Sequence, residues 1–184
     1  MPATREVRRR VGRAAVCAVA LVTLGACGSD SDSSSETPAV EIEGVQTFSD
    51  LTQNHVTGTV DYPQTPPVGG DHAAIWQNCG FYSSPIITEQ GVHSMEHGAV
   101  WITYDPALPA DQVTVLRDMA RTPHILVSPF PGLPSPVVAS AWETQLRLPS
   151  VTDPRLDQFV DQYREGPQTP EPGAPCTGAA GSPE

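Results

Sequence analysis

Five histidines lie in a chain of 184 residues, and four of them, His55, His72, His93 and His97, fall within 43 consecutive positions. The densest piece is Val92-His93-Ser94-Met95-Glu96-His97-Gly98. An extended backbone would point His93, Met95 and His97 to one side, and a helix would still place His93 and His97 on one face. Either geometry brings two imidazoles together. Imidazole suits zinc, copper, iron and nickel, whereas calcium and magnesium take oxygen ligands. His72 ends the run Pro66-Pro67-Val68-Gly69-Gly70-Asp71-His72, where a rigid Pro pair and a permissive Gly pair can aim a ligand. The expected metal ligands are therefore His93, His97, His72 and His55, holding one copper or zinc ion. The thioether of Met95 suits Cu(I), but Met is also an ordinary core filler, and core is the favoured reading. His124, alone beside Pro123, reads as a hydrogen-bonding core residue.

The string His93-Ser94-Met95-Glu96-His97 also fits H-x-x-E-H, in which two His hold Zn²⁺ and the Glu activates water. Glu96 would then be the catalytic residue of a zinc hydrolase. That arrangement requires a helix, and Gly98 with a β-rich run directly after it speaks against one, so the reading leans away from an enzyme. Phosphate-loop, dinucleotide-binding, nucleophile-elbow and EF-hand patterns are absent from the sequence. Trp76, Phe81, Tyr82, Trp101 and Trp142 are spaced as core and loop anchors.

The elements that must position these residues are partly readable. Ala99 to Tyr104 is β-branched and aromatic and stops at Asp105-Pro106, which predicts a strand. Asp111 to Arg121 places Val113, Leu116 and Ala120 at helical spacing between Pro109 and Pro123. Residues 124–128 and 137–148 read as strands, the second broken by a turn near Glu143-Thr144. Asp153-Pro154 opens a helix that buries Leu156, Phe159, Val160 and Tyr163 and ends at Gly166. The expected fold class is α+β: a small single domain with a mainly antiparallel sheet, two helices, long ordered loops over residues 55–92 and one disulfide.

The ends of the chain bear on where such a domain works. Residues 1–26 have a basic stretch, an apolar run from Ala14 to Leu24 and small residues before a cut, the three parts of a secretory signal. The run is shorter than the roughly 20 residues of a membrane-spanning helix. It ends in Leu24-Gly25-Ala26-Cys27, which resembles the lipobox of bacterial lipoproteins, in which the Cys receives the lipid. Cys27 is thus expected to anchor an exported protein at the outer face of the cell membrane. Residues 27–40 read as a polar tether, 41–166 as the globular domain and 167–184 as a Pro/Gly-rich tail. Removing residues 1–26 takes five of ten Arg and one of 21 acids, leaving a net charge of −15. A polyanion binds by releasing counterions to basic side chains, so nucleic acid is disfavoured as a partner. With Cys17 removed and Cys27 lipidated, Cys79 and Cys176 remain in an oxidising compartment. A disulfide tying the tail back is the default reading, contributing about 4 kcal/mol through loop closure; two thiolate metal ligands are the competing one.

The chain from about Phe48 to Cys176 carries His55-Val56, Tyr62-Pro63, the Pro66–His72 run, Cys79-Gly80-Phe81-Tyr82, the Val92–Val100 run and Ala141-Trp142. In these motifs it is similar to the bacterial domain-of-unknown-function family 3105. The resemblance implies an exported or membrane-anchored protein with no assigned activity and with Leu usual at the position of Met95. It points to His55, His72, His93 and His97, with Glu96 as a group that orients an imidazole. Three readings follow. The first is a surface-tethered protein binding copper or zinc for storage, delivery or resistance. The second is a cell-envelope scaffold with structural histidines and a protein partner, and the third is the zinc hydrolase.

Overall fold

The computed structural model describes residues 41–184; the segments expected as signal and tether, and Cys27, expected to carry the lipid, lie outside the described residues. Four two-residue strands come first: β1 (Gln46–Thr47), β2 (His55–Val56), β3 (His72–Ala73) and β4 (Gly80–Phe81). They are followed by α1 (Thr88–Glu96), β5 (Val100–Tyr104), α2 (Ala110–Met119), β6 (Ile125–Pro129), β7 (Val137–Ala141), β8 (Thr144–Leu148) and α3 (Arg155–Tyr163). A six-stranded sheet has the order β1-β8-β7-β5-β6-β4, and β2 pairs with β3 apart from it. Within the large sheet three ladders are antiparallel, while β5–β6 and β4–β6 are parallel. The parallel β5–β6 pair follows from the sequence, because α2 fills the crossover that parallel neighbours need. Antiparallel β7 and β8 need only a tight turn, and Glu143 in that turn takes φ 61°.

Alternate residues of each strand face opposite ways. Val100, Ile102, Tyr104, Ile125, Val127, Val137 and Ala139 pack with Leu116 of α2 and Leu156, Phe159 and Val160 of α3. The other set, Trp101 and Leu126, packs with Val92 and Met95 of α1 and with Trp142. The sheet therefore lies between α2 and α3 on one side and α1 on the other. The α3 start matches its sequence signal: the Asp153 carboxylate accepts the Arg155 backbone N–H at 3.0 Å.

The fold is α+β with a mainly antiparallel sheet and a Cys79–Cys176 disulfide. The expected two helices become three. The third, α1, starts inside the 55–92 stretch expected as ordered loops, where β2, β3 and β4 also lie, and runs into the Val92–Gly98 piece whose spacing fits strand or helix; Gly98 is its stop signal. Gly98 takes φ +92°, its N–H reaches the Met95 carbonyl at 3.0 Å, and the Ala99 N–H reaches the Ser94 carbonyl at 2.9 Å. These are the two bonds of a Schellman cap, so the glycine ends a helix and does not exclude one. The helix escapes its periodicity signal because the residues it buries include Glu89, His93, Ser94 and Glu96 beside Val92 and Met95. Gly91 sits against the Trp101 ring, where a Cβ would come within 2.9 Å, so α1 lies close on the sheet.

The tail is held along its length, beyond the one point expected at Cys176. The Glu171 N–H bonds to the Glu96 carbonyl at 3.1 Å, Asn78 bonds both Ala179 and Gly181, and the Glu184 N–H reaches Phe81. Among the described residues no helix is long and apolar enough to cross a membrane.

Candidate metal centre

Two short pieces of chain and one helix build the centre. In α1, His93 and Glu96 are three residues apart and so share a face. The parallel β2–β3 ladder sets His55 directly opposite His72, with the His72 N–H on the Asn54 carbonyl at 3.0 Å. The loop before His72 is fixed to the β7–β8 turn: the Glu143 N–H meets the Val68 carbonyl at 2.8 Å, and Gln145 Nε2 donates to the Pro66 carbonyl at 2.9 Å. The Trp142 ring then backs His72 edge-on, with centroids 6.0 Å apart. The Pro-Pro and Gly-Gly pairs thus lie in an anchored loop leading to the imidazole.

The result is a set of His55, His72, His93 and Glu96 whose ligand atoms all lie within 4.8 Å of one another. A tetrahedral zinc site with bonds of about 2.1 Å has ligand-to-ligand edges of about 3.4 Å, so shifts on the order of 1 Å close the set around an ion. His72, His93 and Glu96 are buried, and His55 is the exposed member. His55 stacks on His93 at 4.8 Å between centroids and meets His72 edge-on at 4.9 Å. This set of three imidazoles and one carboxylate could hold a metal ion.

The ring tautomers sharpen the point. A backbone carbonyl only accepts, so a ring nitrogen bonded to one carries its proton. His72 Nδ1 lies 2.8 Å from the Gly70 carbonyl, His93 Nδ1 2.6 Å from that of Ala73, and His97 Nδ1 2.7 Å from that of Pro175. In the neutral rings every Nε2 is therefore a lone pair. His72 Nε2 nevertheless faces Glu96 Oε2 at 2.9 Å, and His93 Nε2 faces His97 Nε2 at 2.9 Å. Two acceptors at that distance need a cation between them, either a proton or a metal ion. An imidazole tied through Nδ1 to a carbonyl is also the usual support of a metal-ligating Nε2.

In the absence of metal the surroundings of His72 favour a proton at that place. Burial works against its charge, but the Glu96 hydrogen bond, the Gly70 carbonyl and the charges of Glu96 and Asp71 outweigh burial and hold the ring above its ordinary value. Burial pushes Glu96 up, yet its bond to His72 and the surrounding imidazoles win and hold it below the usual carboxylate value. Burial lowers His93, with the Ala73 carbonyl opposing and the charges of His97 and His72 adding, so its ring is readily available as a neutral ligand.

Of the four expected ligands, His55, His72 and His93 join one set. His97 caps α1 on the far side of His93, with Glu171 Oε2 3.3 Å from its Nε2 and the Trp76 ring 4.8 Å away. Glu96, read as an orienting or water-activating group, belongs to the set itself. Its helical context removes one objection to the H-x-x-E-H reading, but its carboxylate lies among the ligands. Met95 is fully buried with Val92 and Trp101, as core. Cys79 and Cys176 are joined to each other, which excludes them as thiolate ligands. His124 bonds the Ala174 carbonyl at 3.1 Å as expected, but it is half-buried and precedes β6, so it is not a core residue. Glu171 was not legible: no motif marks it, and it reaches His97 only because the tail folds back.

The family described as "Protein of unknown function (DUF3105)" matches residues 55–178. The matched span takes in His55, His72, His93, Glu96 and His97 and the disulfide. No curated protein and no solved structure matches the chain. The chain belongs to the DUF3105 family.

Proposed function

We propose that this member of the family binds one divalent transition-metal ion, zinc or copper, at His55, His72, His93 and Glu96, and that it serves metal storage, delivery or resistance without catalysis. The observation that carries the reading is the buried meeting of imidazole Nε2 atoms and a carboxylate, all acceptors when the rings are neutral and Glu96 is ionised. Zn²⁺ and Cu²⁺ fit nitrogen with one carboxylate, whereas Cu(I) seeks the thioether that Met95 keeps in the core. We place the protein outside the cell membrane on a lipid at Cys27, a reading supported by the signal-like residues 1–26 and the Leu24–Cys27 tetrapeptide.

Elemental analysis of residues 28–184, produced without a His tag, is expected to find about one tightly held equivalent of zinc or copper. At a hundredfold excess over the dissociation constant that ion stabilises the fold by about 2.7 kcal/mol. His93→Ala should remove both the ion and the metal-dependent rise in melting temperature. If neither metal is taken up, the reading fails and the scaffold alternative gains. In cells expressing the full chain, Cys27→Ala should move the protein from the membrane to the soluble fraction; an unchanged distribution would refute the anchor. The zinc-hydrolase reading gains one observation, the helix over His93 and Glu96, and predicts that Glu96→Gln keeps metal while losing turnover. A ligand role predicts instead that Glu96→Gln weakens the metal itself.

A further inference from the structure

We propose a second cation position, formed by His97 and Glu171 beside the buried set, that holds a divalent transition-metal ion weakly as it passes between solvent and that set. The proposal rests on the buried set binding metal. Four ligands complete that first site without His97, which leaves the Nε2 of His97 with an unmet requirement. Its Nδ1 is committed to the Pro175 carbonyl at 2.7 Å, so Nε2 offers a lone pair. That lone pair faces Glu171 Oε2 at 3.3 Å and His93 Nε2 at 2.9 Å, two further acceptors. Once the lone pair of His93 is given to the inner ion, a cation shared by His97 and Glu171 would satisfy both remaining acceptors at once.

The placement is built by the fold. Glu171 is fixed by its own N–H on the Glu96 carbonyl at 3.1 Å, and its carbonyl receives the Ala174 N–H at 3.2 Å. Pro175 then orients His97, and Cys176 ties the strap to Cys79, whose N–H meets the Cys176 carbonyl at 2.7 Å. Exposure falls along the line, from the Glu171 side chain at 53 % to that of His97 at 4 %, with His93 buried beyond. Trp76 covers His97 at 4.8 Å. A carboxylate in water, then a shielded imidazole, then the inner ligands form a graded path. Two protein ligands with water completing the shell hold an ion less firmly than four, which suits a place of transit.

The test is a zinc titration of the oxidised protein, residues 28–184, against a competing chromophoric chelator. Two classes of bound zinc are expected, the second at least about tenfold weaker. Glu171→Gln and, separately, His97→Gln should remove the weak class, leave the tight one and slow its loading severalfold in stopped flow. Unchanged metal-free melting of Glu171→Gln would show that the strap remains folded. A single class in the parent protein, or a weak class that survives Glu171→Gln, overturns the proposal. Loss of the tight class in Glu171→Gln also overturns it, by placing that carboxylate on the inner ion. No bound zinc at all would instead sink the inner site.

Discussion

The two faces of the large sheet bury side chains of opposite character. Toward α2 and α3 lie Val100, Ile102, Val127, Val137 and Leu148, packed on Leu116, Leu156 and Phe159. Toward α1 lie Trp101, Thr103, Ser128 and Ser140, whose side-chain polar groups are hydrogen-bonded. Trp101 Nε1 donates to Ser128 Oγ at 3.0 Å, Thr103 Oγ1 to the Val138 carbonyl at 3.1 Å, and Gln145 Nε2 to Ser140 Oγ at 3.2 Å. The first face is held by area removed from water, in proportion to what it buries. The second is held by pairings, in which a lost partner leaves the other group desolvated and unsatisfied. The α2/α3 face therefore carries most of the stability, and the α1 face carries the candidate chemistry at some cost to packing.

The largest effect that tests this division is Phe159→Ala. Phe159 is fully buried and packs against Tyr163 at 4.6 Å between centroids. Truncating a buried Phe costs about 3–5 kcal/mol through lost transfer energy and the cavity left behind. Urea unfolding should report that loss, while zinc affinity of the folded fraction stays within about twofold, a difference of about 0.4 kcal/mol. A large fall in affinity would mean that the two faces are coupled through the sheet and would break the comparison.

A smaller effect is expected at the hinge between helix and strand on the α1 face. Gly98→Ala forces a left-handed backbone on an L-residue, costing roughly 1–2 kcal/mol. Its Cβ would also come within 3.1 Å of Glu165 Cα and 3.2 Å of Thr169 Cγ2. Because Gly98 follows His97 directly, the strain falls on the end of α1 that sets His93, Glu96 and His97. Chemical denaturation should show the stability loss, and zinc titration should show weakened binding as well. Lost stability with unchanged binding would indicate that the centre tolerates movement of its helix end.

The same division explains what could be read from the chain. The α2/α3 face was legible because β5 to β8, α2 and α3 carry apolar periodicity with Pro or Asp-Pro signals at their ends. On the α1 face the histidines were legible by type alone. Their assembly was not, because β2 and β3 are two residues each, too short for any pattern, yet they set His55 opposite His72. The helix α1 was not legible because its buried positions hold His, Ser and Glu where a pattern would need apolar residues. Glu171 was hidden for a third reason: its approach to His97 depends on a tail folded back and pinned by Cys79–Cys176, which no local feature of residues 167–175 announces.

The smallest predicted effect separates the two roles open to Met95, which lies within the His93–His97 string yet packs on Val92 and Trp101. Were its thioether a ligand, Met95→Leu would change the metal preference, weakening Cu(I) above all. As core, the swap nearly conserves volume and should cost under about 1.5 kcal/mol. Calorimetric melting of the metal-free protein and titrations with Zn²⁺ and Cu(I) measure both quantities on one variant. The expected outcome is a small change in melting temperature, with zinc binding and the Zn²⁺ to Cu(I) preference unmoved. That result would confine metal chemistry to the imidazoles and carboxylates at the outer edge of α1. A selective loss of Cu(I) would extend it into the packed layer beneath α1, where Met95 lies with Val92 and Trp101.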